Sequence, residues 1–276
     1  MLEGKKIALI GAGVMAQVMA EGLLKSKLVG PDDIIVSHYR QDRLEEFQRA
    51  TPVRATTSNE EAYRVSDIAV LCVRPQAMEA VLRELAPAVD ESKLLSSIAA
   101  GVPISFYERT LGKVVPFVRA MPTFFGRIKA GTTGLSLNGA TTADHLALVS
   151  RLYSTISENV IVLPEDEIDA FTTFGSTTTA TVYLLLDALI TAGSLVGLRH
   201  HASHSRAIEQ VIAAAQNVVA TDKLPSQLID EICTPGGVTV EGVKVLEERA
   251  TRAAIIDGVL AATKRAAELR KAAGGE

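Results

Sequence analysis

A short apolar run that stops on a glycine turn and then enters a helix constrains this chain more than any other feature. Ile7-Ala8-Leu9-Ile10 reads as a buried strand, and Gly11-Ala12-Gly13-Val14-Met15-Ala16 fits the pattern G-x-G-x-x-(G/A). Gly11 permits the tight turn, Gly13 lets the backbone approach a pyrophosphate, and Ala16 is small enough for close helix–strand packing. The helix that follows offers unpaired N–H groups and the positive end of its dipole to phosphates. A strand, this turn and a helix in sequence predict a dinucleotide-binding Rossmann domain.

The pattern continues downstream. Strand-like runs at 33–38, 67–73, 94–99 and 114–119 alternate with helical patterns at 15–25, 43–49 and 76–85, and further strands are expected at 134–137 and 160–163. Such alternation implies a doubly wound, mostly parallel α/β sheet. After Pro164 the pattern becomes helical to the end, punctuated at Gly193/Gly197, Pro225 and Pro235-Gly236-Gly237. The chain of 276 residues therefore divides into a dinucleotide-binding domain, 1–163, and an all-helical domain, 164–276. The tail Ala272–Glu276 is expected to fray.

Composition narrows the class. The formal charge of −4, without a long basic run, argues against nucleic acid as a partner. Cys72 and Cys233 match no metal or redox spacing, which points to a reducing compartment, and the start of the chain shows no secretory signal, so a cytoplasmic location is expected. Ala180–Leu198 is long and apolar enough to span a membrane, but Asp187 at its centre would be costly there. A buried helix at a subunit interface is the reading preferred over a membrane span. His200 and His204 stand four apart, but no further ligand completes a metal site, so they read as a solvated helix face.

The end of the second strand bears on the nucleotide. NAD-dependent enzymes usually place Asp or Glu there to hold the ribose 2′-hydroxyl. This chain has Ser37-His38-Tyr39-Arg40. Ser37 and Arg40 suit a 2′-phosphate, so NADP(H) is favoured over NAD(H).

Further segments carry a resemblance. Val73-Arg74-Pro75-Gln76, Ser97-Ile98-Ala99-Ala100-Gly101-Val102, Val118-Arg119-Ala120-Met121-Pro122, Asp166–Asp169 and Thr234-Pro235-Gly236-Gly237-Val238-Thr239 follow the glycine turn in order. With it, they make the chain resemble the pyrroline-5-carboxylate reductases over almost its whole length. The resemblance implies an N-terminal Rossmann domain and a C-terminal helical dimerisation domain that interleaves with a second subunit to form a homodimer or an assembly of dimers. It implies hydride transfer to a small cyclic imine carboxylate, with active sites built from two subunits. It carries Asn59, Cys72, Val73, Pro75, Ala99, Ala100 and Gly101 to the cofactor, and Glu165, Thr234, Gly236, Gly237 and Val238 to the substrate. Thr239 becomes the catalytic hydroxyl near the imine nitrogen.

The chain departs from that family in three places. Thr123 follows Met121-Pro122 where the family usually has Asn. Gly175-Ser176-Thr177-Thr178-Thr179-Ala180 stands where the family opens a helix with Ser-Gly-Ser-Gly-Pro-Ala. Glu231 replaces an amide, and its charge would repel an anionic substrate unless paired or turned away. These departures keep open a reductase of a different cyclic imine, or an NADP-binding regulator without catalysis. A β-hydroxyacid dehydrogenase is disfavoured, because no Lys lies between Lys129 and Lys223 to serve its helix motif.

Overall fold

The computed structural model describes residues 2–272. Of the tail expected to fray, Ala272 ends the last helix and residues 273–276 lie outside that range. β1 (Ile7–Ile10) leads through the glycine turn into α1 (Val14–Ser26). β2 (Ile34–Ser37), α2 (Gln41–Ala50), β3 (Arg54–Thr56), α3 (Asn59–Arg64), β4 (Ile68–Leu71), α4 (Pro75–Leu85), β5 (Leu94–Ser97), α5 (Ile104–Leu111) and β6 (Phe117–Met121) continue the alternation. β7 (Thr132–Leu137), α6 (Ala143–Tyr153) and β8 (Asn159–Val162) complete the sheet. Then come α7 (Glu165–Leu195), α8 (His200–Thr221), α9 (Pro225–Ile232), α10 (Val238–Glu248) and α11 (Thr251–Ala272), with no strand among the described residues after β8.

The strand order is β3-β2-β1-β4-β5-β6-β7-β8. The first six strands are parallel in the doubly wound order, and β7 runs antiparallel to β6. The order reverses between β1 and β4, and ligands of open α/β sheets bind outside the carboxyl ends of the strands at such a point. Side chains alternate between two buried faces, as a sheet covered by helices on both sides requires. Ile7, Leu9, Val36, Val70 and Val118 pack with Met19 and Leu23 of α1 and Leu152 and Tyr153 of α6. Ala8, Ile10, Ala69, Leu71 and Phe117 pack with Met78 and Leu82 of α4 and Tyr107 and Leu111 of α5.

Buried hydroxyls complete these faces. Tyr153 shares a hydrogen bond with Ser96 at 2.8 Å and Tyr107 with Ser97 at 2.7 Å. Burial pushes both phenols above their ordinary range. They stay neutral at any physiological pH and hold α5 and α6 to the sheet.

One charged group lies inside. Arg119 of β6 has no solvent exposure. Its guanidinium pairs with Asp169, and Nη1 lies 3.5 Å from Oε1 of Glu165, both in the first turns of α7. The start of α7 is thereby tied to the sheet. By contact, α7 itself belongs to two compact units. One contains the sheet through Thr173 and resumes at Thr263; the other is Phe174–Ala262.

The segment 175–180 stands where the family opens a helix. It lies inside α7, which starts at Glu165 with Glu165, Asp166 and Glu167 in its first turn, where carboxylates favour the dipole. The threonines suit that continuity: Thr172, Thr179 and Thr181 hydroxyls donate to the carbonyls four residues back, at 2.6, 2.9 and 2.9 Å. Ala180–Leu198, expected to be buried at a subunit interface, presents apolar side chains on the protomer surface. Within the protomer it is open: Leu184 is 73% exposed, Leu195 82% and Val196 79%. α7 is also the one described helix long and apolar enough to cross a membrane. Short elements escaped the sequence reading as well. β3 has three residues and α3 is a polar turn and a half, too short for either period to register.

Removing one member of a buried ion pair leaves the other charged and unpaired. Arg119→Met is therefore expected to lower unfolding stability by about 3–5 kcal/mol in urea titration. A loss below about 1 kcal/mol would show that the fold does not depend on the pair.

Candidate active site

The glycine turn lies at the reversal point, and its two glycines are required for different reasons. Gly11 has φ +112°, and a Cβ there would meet Val73 Cγ1 at 3.0 Å and the Cys72 carbonyl at 3.1 Å. Its N–H donates to the Ser37 carbonyl at 2.8 Å. The protein itself needs glycine at this position. Gly13 is different. It caps α1 with φ −92°, is exposed, and a Cβ there would find only the Cys72 carbonyl, at 3.9 Å. No protein atom excludes a side chain, so the open space suits an approaching ligand. No side chain caps α1 and no acid sits in its first turn. Val14, Met15 and Ala16 therefore begin a helix whose N–H groups and dipole fit a pyrophosphate.

The ends of neighbouring strands surround this turn. Cys72, after β4, donates its N–H to the Ile10 carbonyl at 2.8 Å, beside Ala12 and Gly11. Burial pushes its thiol up to about 12, so it is protonated at neutral pH. Val73 follows, and Pro75 opens α4 without a side-chain cap. Ala99, Ala100 and Gly101 follow β5, with Gly101 at φ +72°.

Past β2 the picture is more specific than the sequence suggested. Ser37 is fully buried, and its hydroxyl donates to Asn59 Oδ1 at 2.7 Å. Asn59 Nδ2 reaches Glu84 at 2.8 Å. Ser37 thus orients Asn59 and does not face outward to a phosphate. Arg40 is exposed, and its guanidinium engages Asp42 through two hydrogen bonds, with Nε donating at 3.0 Å. That contact holds the Asp42 carboxyl below its ordinary range. A phosphate at Arg40 would share the guanidinium with Asp42 or displace it.

Thr234, Gly236, Gly237, Val238 and Thr239 lie in the second unit. The Gly237 N–H donates to the Thr234 carbonyl at 2.9 Å, and Gly236 has φ +70°. With Pro235 before it, this is the geometry of a type II turn, which demands glycine at its third position. Gly237 is crowded too: a Cβ there would meet Thr234 Oγ1 at 2.5 Å. Gly237 then caps α10 without a side-chain bond, leaving Val238 and Thr239 at its exposed first turn. Glu231 does not stand as a bare charge, because Lys223 pairs with it at 2.5 Å.

Glu165 stands at the start of α7. Its Oε1 accepts the Ile104 N–H at 2.7 Å and lies beside Arg119, so the carboxylate faces into the Rossmann unit. The sequence reading gave no role to Arg119 or Asp169, although both sit in segments it singled out. Thr123, the other departure, donates to the Ala130 carbonyl at 3.3 Å and closes its own loop. His200, His201 and His204 are exposed on α8, and the described residues contain no group of three or more potential metal-ligating side chains.

A doubly wound sheet, an uncapped glycine turn at its reversal point and an appended helical unit define a Rossmann-type dinucleotide oxidoreductase. Residues 6–101 match the family described as NADP oxidoreductase, coenzyme F420-dependent, and residues 165–269 match that described as pyrroline-5-carboxylate reductase dimerisation. The pyrroline-5-carboxylate reductase of Synechocystis sp. is 34% identical, over 96% of this chain and 98% of the relative. That of Methanosarcina acetivorans is 32% identical over 98% and 100%. The structure of the Coxiella burnetii pyrroline-5-carboxylate reductase superposes with TM-score 0.84 at 31% identity, covering 96% of this chain and 98% of that one. The Plasmodium falciparum pyrroline carboxylate reductase, solved with NADP bound, gives 0.88 at 25% identity, covering 97% and 99%. The chain belongs to the pyrroline-5-carboxylate reductase family.

The two glycines should separate experimentally. Gly13→Ala is expected to leave urea stability within about 0.5 kcal/mol while weakening NADPH binding at least about tenfold, near 1.4 kcal/mol. Gly11→Ala should destabilise the fold by about 1–2 kcal/mol, the scale of a non-glycine residue forced to positive φ. Equal effects of the two substitutions on stability would remove this distinction.

Proposed function

We propose that the chain reduces 1-pyrroline-5-carboxylate to proline with NADPH, as a cytoplasmic homodimer or an assembly of dimers. Residues 1–163 serve as the dinucleotide domain and 164–276 as the dimerisation and substrate domain. The observation that carries this reading is the Thr234–Gly237 turn opening α10, joined to a chain whose first unit has the uncapped glycine turn. Helix N–H groups beside Gly236, Gly237 and Val238 are suited to a carboxylate. The family dimerisation segment and the apolar face of α7 support self-association.

The reduced nicotinamide supplies a hydride to the imine carbon. The protein has three tasks around that step. The Rossmann turn fixes the pyrophosphate, with Asn59 held in place by Ser37 and with Arg40 available to the 2′-phosphate. Thr234 and the turn orient the substrate carboxylate. Thr239, two residues into α10, offers its hydroxyl near the imine nitrogen, where the product amine gains its proton. With the Glu231 charge offset by Lys223, this end of the second unit is less repulsive to an anion than the sequence implied.

A second reading, reduction of a different cyclic imine, rests on Thr177, Thr178 and Thr179. They are half-buried in α7 and carry methyl and hydroxyl groups that the family's glycine–proline segment lacks. A steady-state assay with 1-pyrroline-5-carboxylate and NADPH decides between the two. Turnover within the usual range of roughly 1–10³ s⁻¹ supports the first; turnover below about 1 s⁻¹ favours the second.

Thr239→Ala should lower kcat roughly ten- to a hundredfold, with little change in fold. Unchanged kcat would remove its hydroxyl from the reaction. Arg40→Ala should raise KM for NADPH much more than KM for NADH, and equal effects would show that Arg40 does not read the 2′-phosphate.

A further inference from the structure

We infer that Glu165 and Arg119 are positioning residues for the cofactor-lining segment Ala99–Gly101, and that Glu165 does not contact substrate. This rests on the reading of Ala99–Gly101 as part of the dinucleotide site. The segment joins β5 to α5, and both of its ends are anchored. At the β5 end, Ser97 Oγ accepts the Ala99 N–H at 3.2 Å and is itself bonded to the Tyr107 hydroxyl at 2.7 Å. At the α5 end, the N-cap position is Pro103, which has no side-chain acceptor. Glu165 Oε1, arriving from α7, accepts the first helical N–H, that of Ile104, at 2.7 Å. A carboxylate at a helix N-terminus is favoured by the dipole as well as by the hydrogen bond.

Glu165 is held there in turn. Arg119 Nη1 lies 3.5 Å from Oε1, and Arg119 is fixed by burial and by Asp169. The strand register places Arg119 beside Ser97, so both anchors belong to one buried polar cluster. Between them, Gly101 adopts φ +72° with no atom within 4 Å of where a Cβ would be. Ala100 and Gly101 form the open tip of the segment, while Ala99 and Val102 on either side are buried in the core, so the Glu165 bond acts together with apolar packing in setting the path into α5. Loss of the Glu165 acceptor leaves the Ile104 N–H unpaired and loosens the entry into α5, and with it the surface that Ala100 and Gly101 offer to the dinucleotide. A carboxylate already committed to the Ile104 N–H and to a buried guanidinium is also ill suited to receive a substrate that carries a negative charge.

The test compares the full-length protein with Glu165→Ala and Glu165→Gln, measuring NADPH Kd by fluorescence titration and KM for 1-pyrroline-5-carboxylate. The glutamine keeps an acceptor oxygen for the Ile104 N–H. Glu165→Ala should weaken NADPH binding about five- to thirtyfold, Glu165→Gln should stay within about threefold of wild type, and the imine KM should change by less than about twofold in both. An unchanged NADPH Kd in Glu165→Ala, with or without a raised imine KM, would overturn the inference, as would a glutamine variant as impaired as the alanine. If Glu165→Ala does not fold, Arg119→Lys serves. It keeps the charge but not the planar fork, and should weaken NADPH at least about threefold while sparing the imine KM; no change in NADPH Kd overturns the inference there as well. A wild-type protein that binds NADPH but leaves the imine unreduced would sink the proposed reaction, while the variant series would still decide the role of Glu165.

Discussion

A guanidinium removed from water needs carboxylates and hydrogen bonds in place of its hydration, and Arg119 meets that need in part: Asp169 bonds Nη2, Glu165 lies 3.5 Å from Nη1, and Nε and Nη1 have no hydrogen-bond partner among the described residues. Its partners come from the first turns of α7, so the start of that helix is bound to β6 by charge as well as by packing. Removing the charge altogether could, in principle, be neutral if well-packed apolar groups replaced the whole cluster. The arrangement present here does something an apolar plug would not. It ties the first turns of α7 to β6 at defined atoms, because an ion pair with a hydrogen bond is directional where apolar contact is not.

The cofactor end of the fold was largely legible in the sequence, because glycine requirements and short apolar strands are local. Gly11, Gly13 and Ala16 announce a turn whose reasons lie within a few residues, and the alternation after them fixes the sheet. The Arg119 cluster was not legible. An arginine in a five-residue strand carries no local sign that it is buried, and its partner Asp169 lies 50 residues away. Glu165 was visible as an acid at a helix start, but that it caps a different helix, α5, follows only from tertiary structure. The same limit applied to Glu231, whose partner Lys223 lies eight residues earlier, just ahead of α9.

The departures from the family pattern also changed meaning. Three threonines stand in place of the family's glycine–proline segment. Within α7 they are interior residues that back-bond to the preceding turn, so their consequence is a continuous helix with added methyl groups along it. At the nucleotide end, Ser37 and Arg40 looked equivalent in sequence. Burial separates them: one is committed to Asn59, and the other is a surface cation already engaged with an aspartate.

The apolar face left open on α7 has a thermodynamic consequence. Leu184 and Leu195 on that helix and Val196 just after it, with Val219 on α8 and Leu260 on α11, remain well exposed in a single protomer. When a second copy covers such a face, folding and association become one equilibrium. The unfolding midpoint then rises with protomer concentration, and the free energy of unfolding is no longer a property of one chain. Variants compared at unequal concentrations would differ in apparent stability even when every contact inside the protomer was the same.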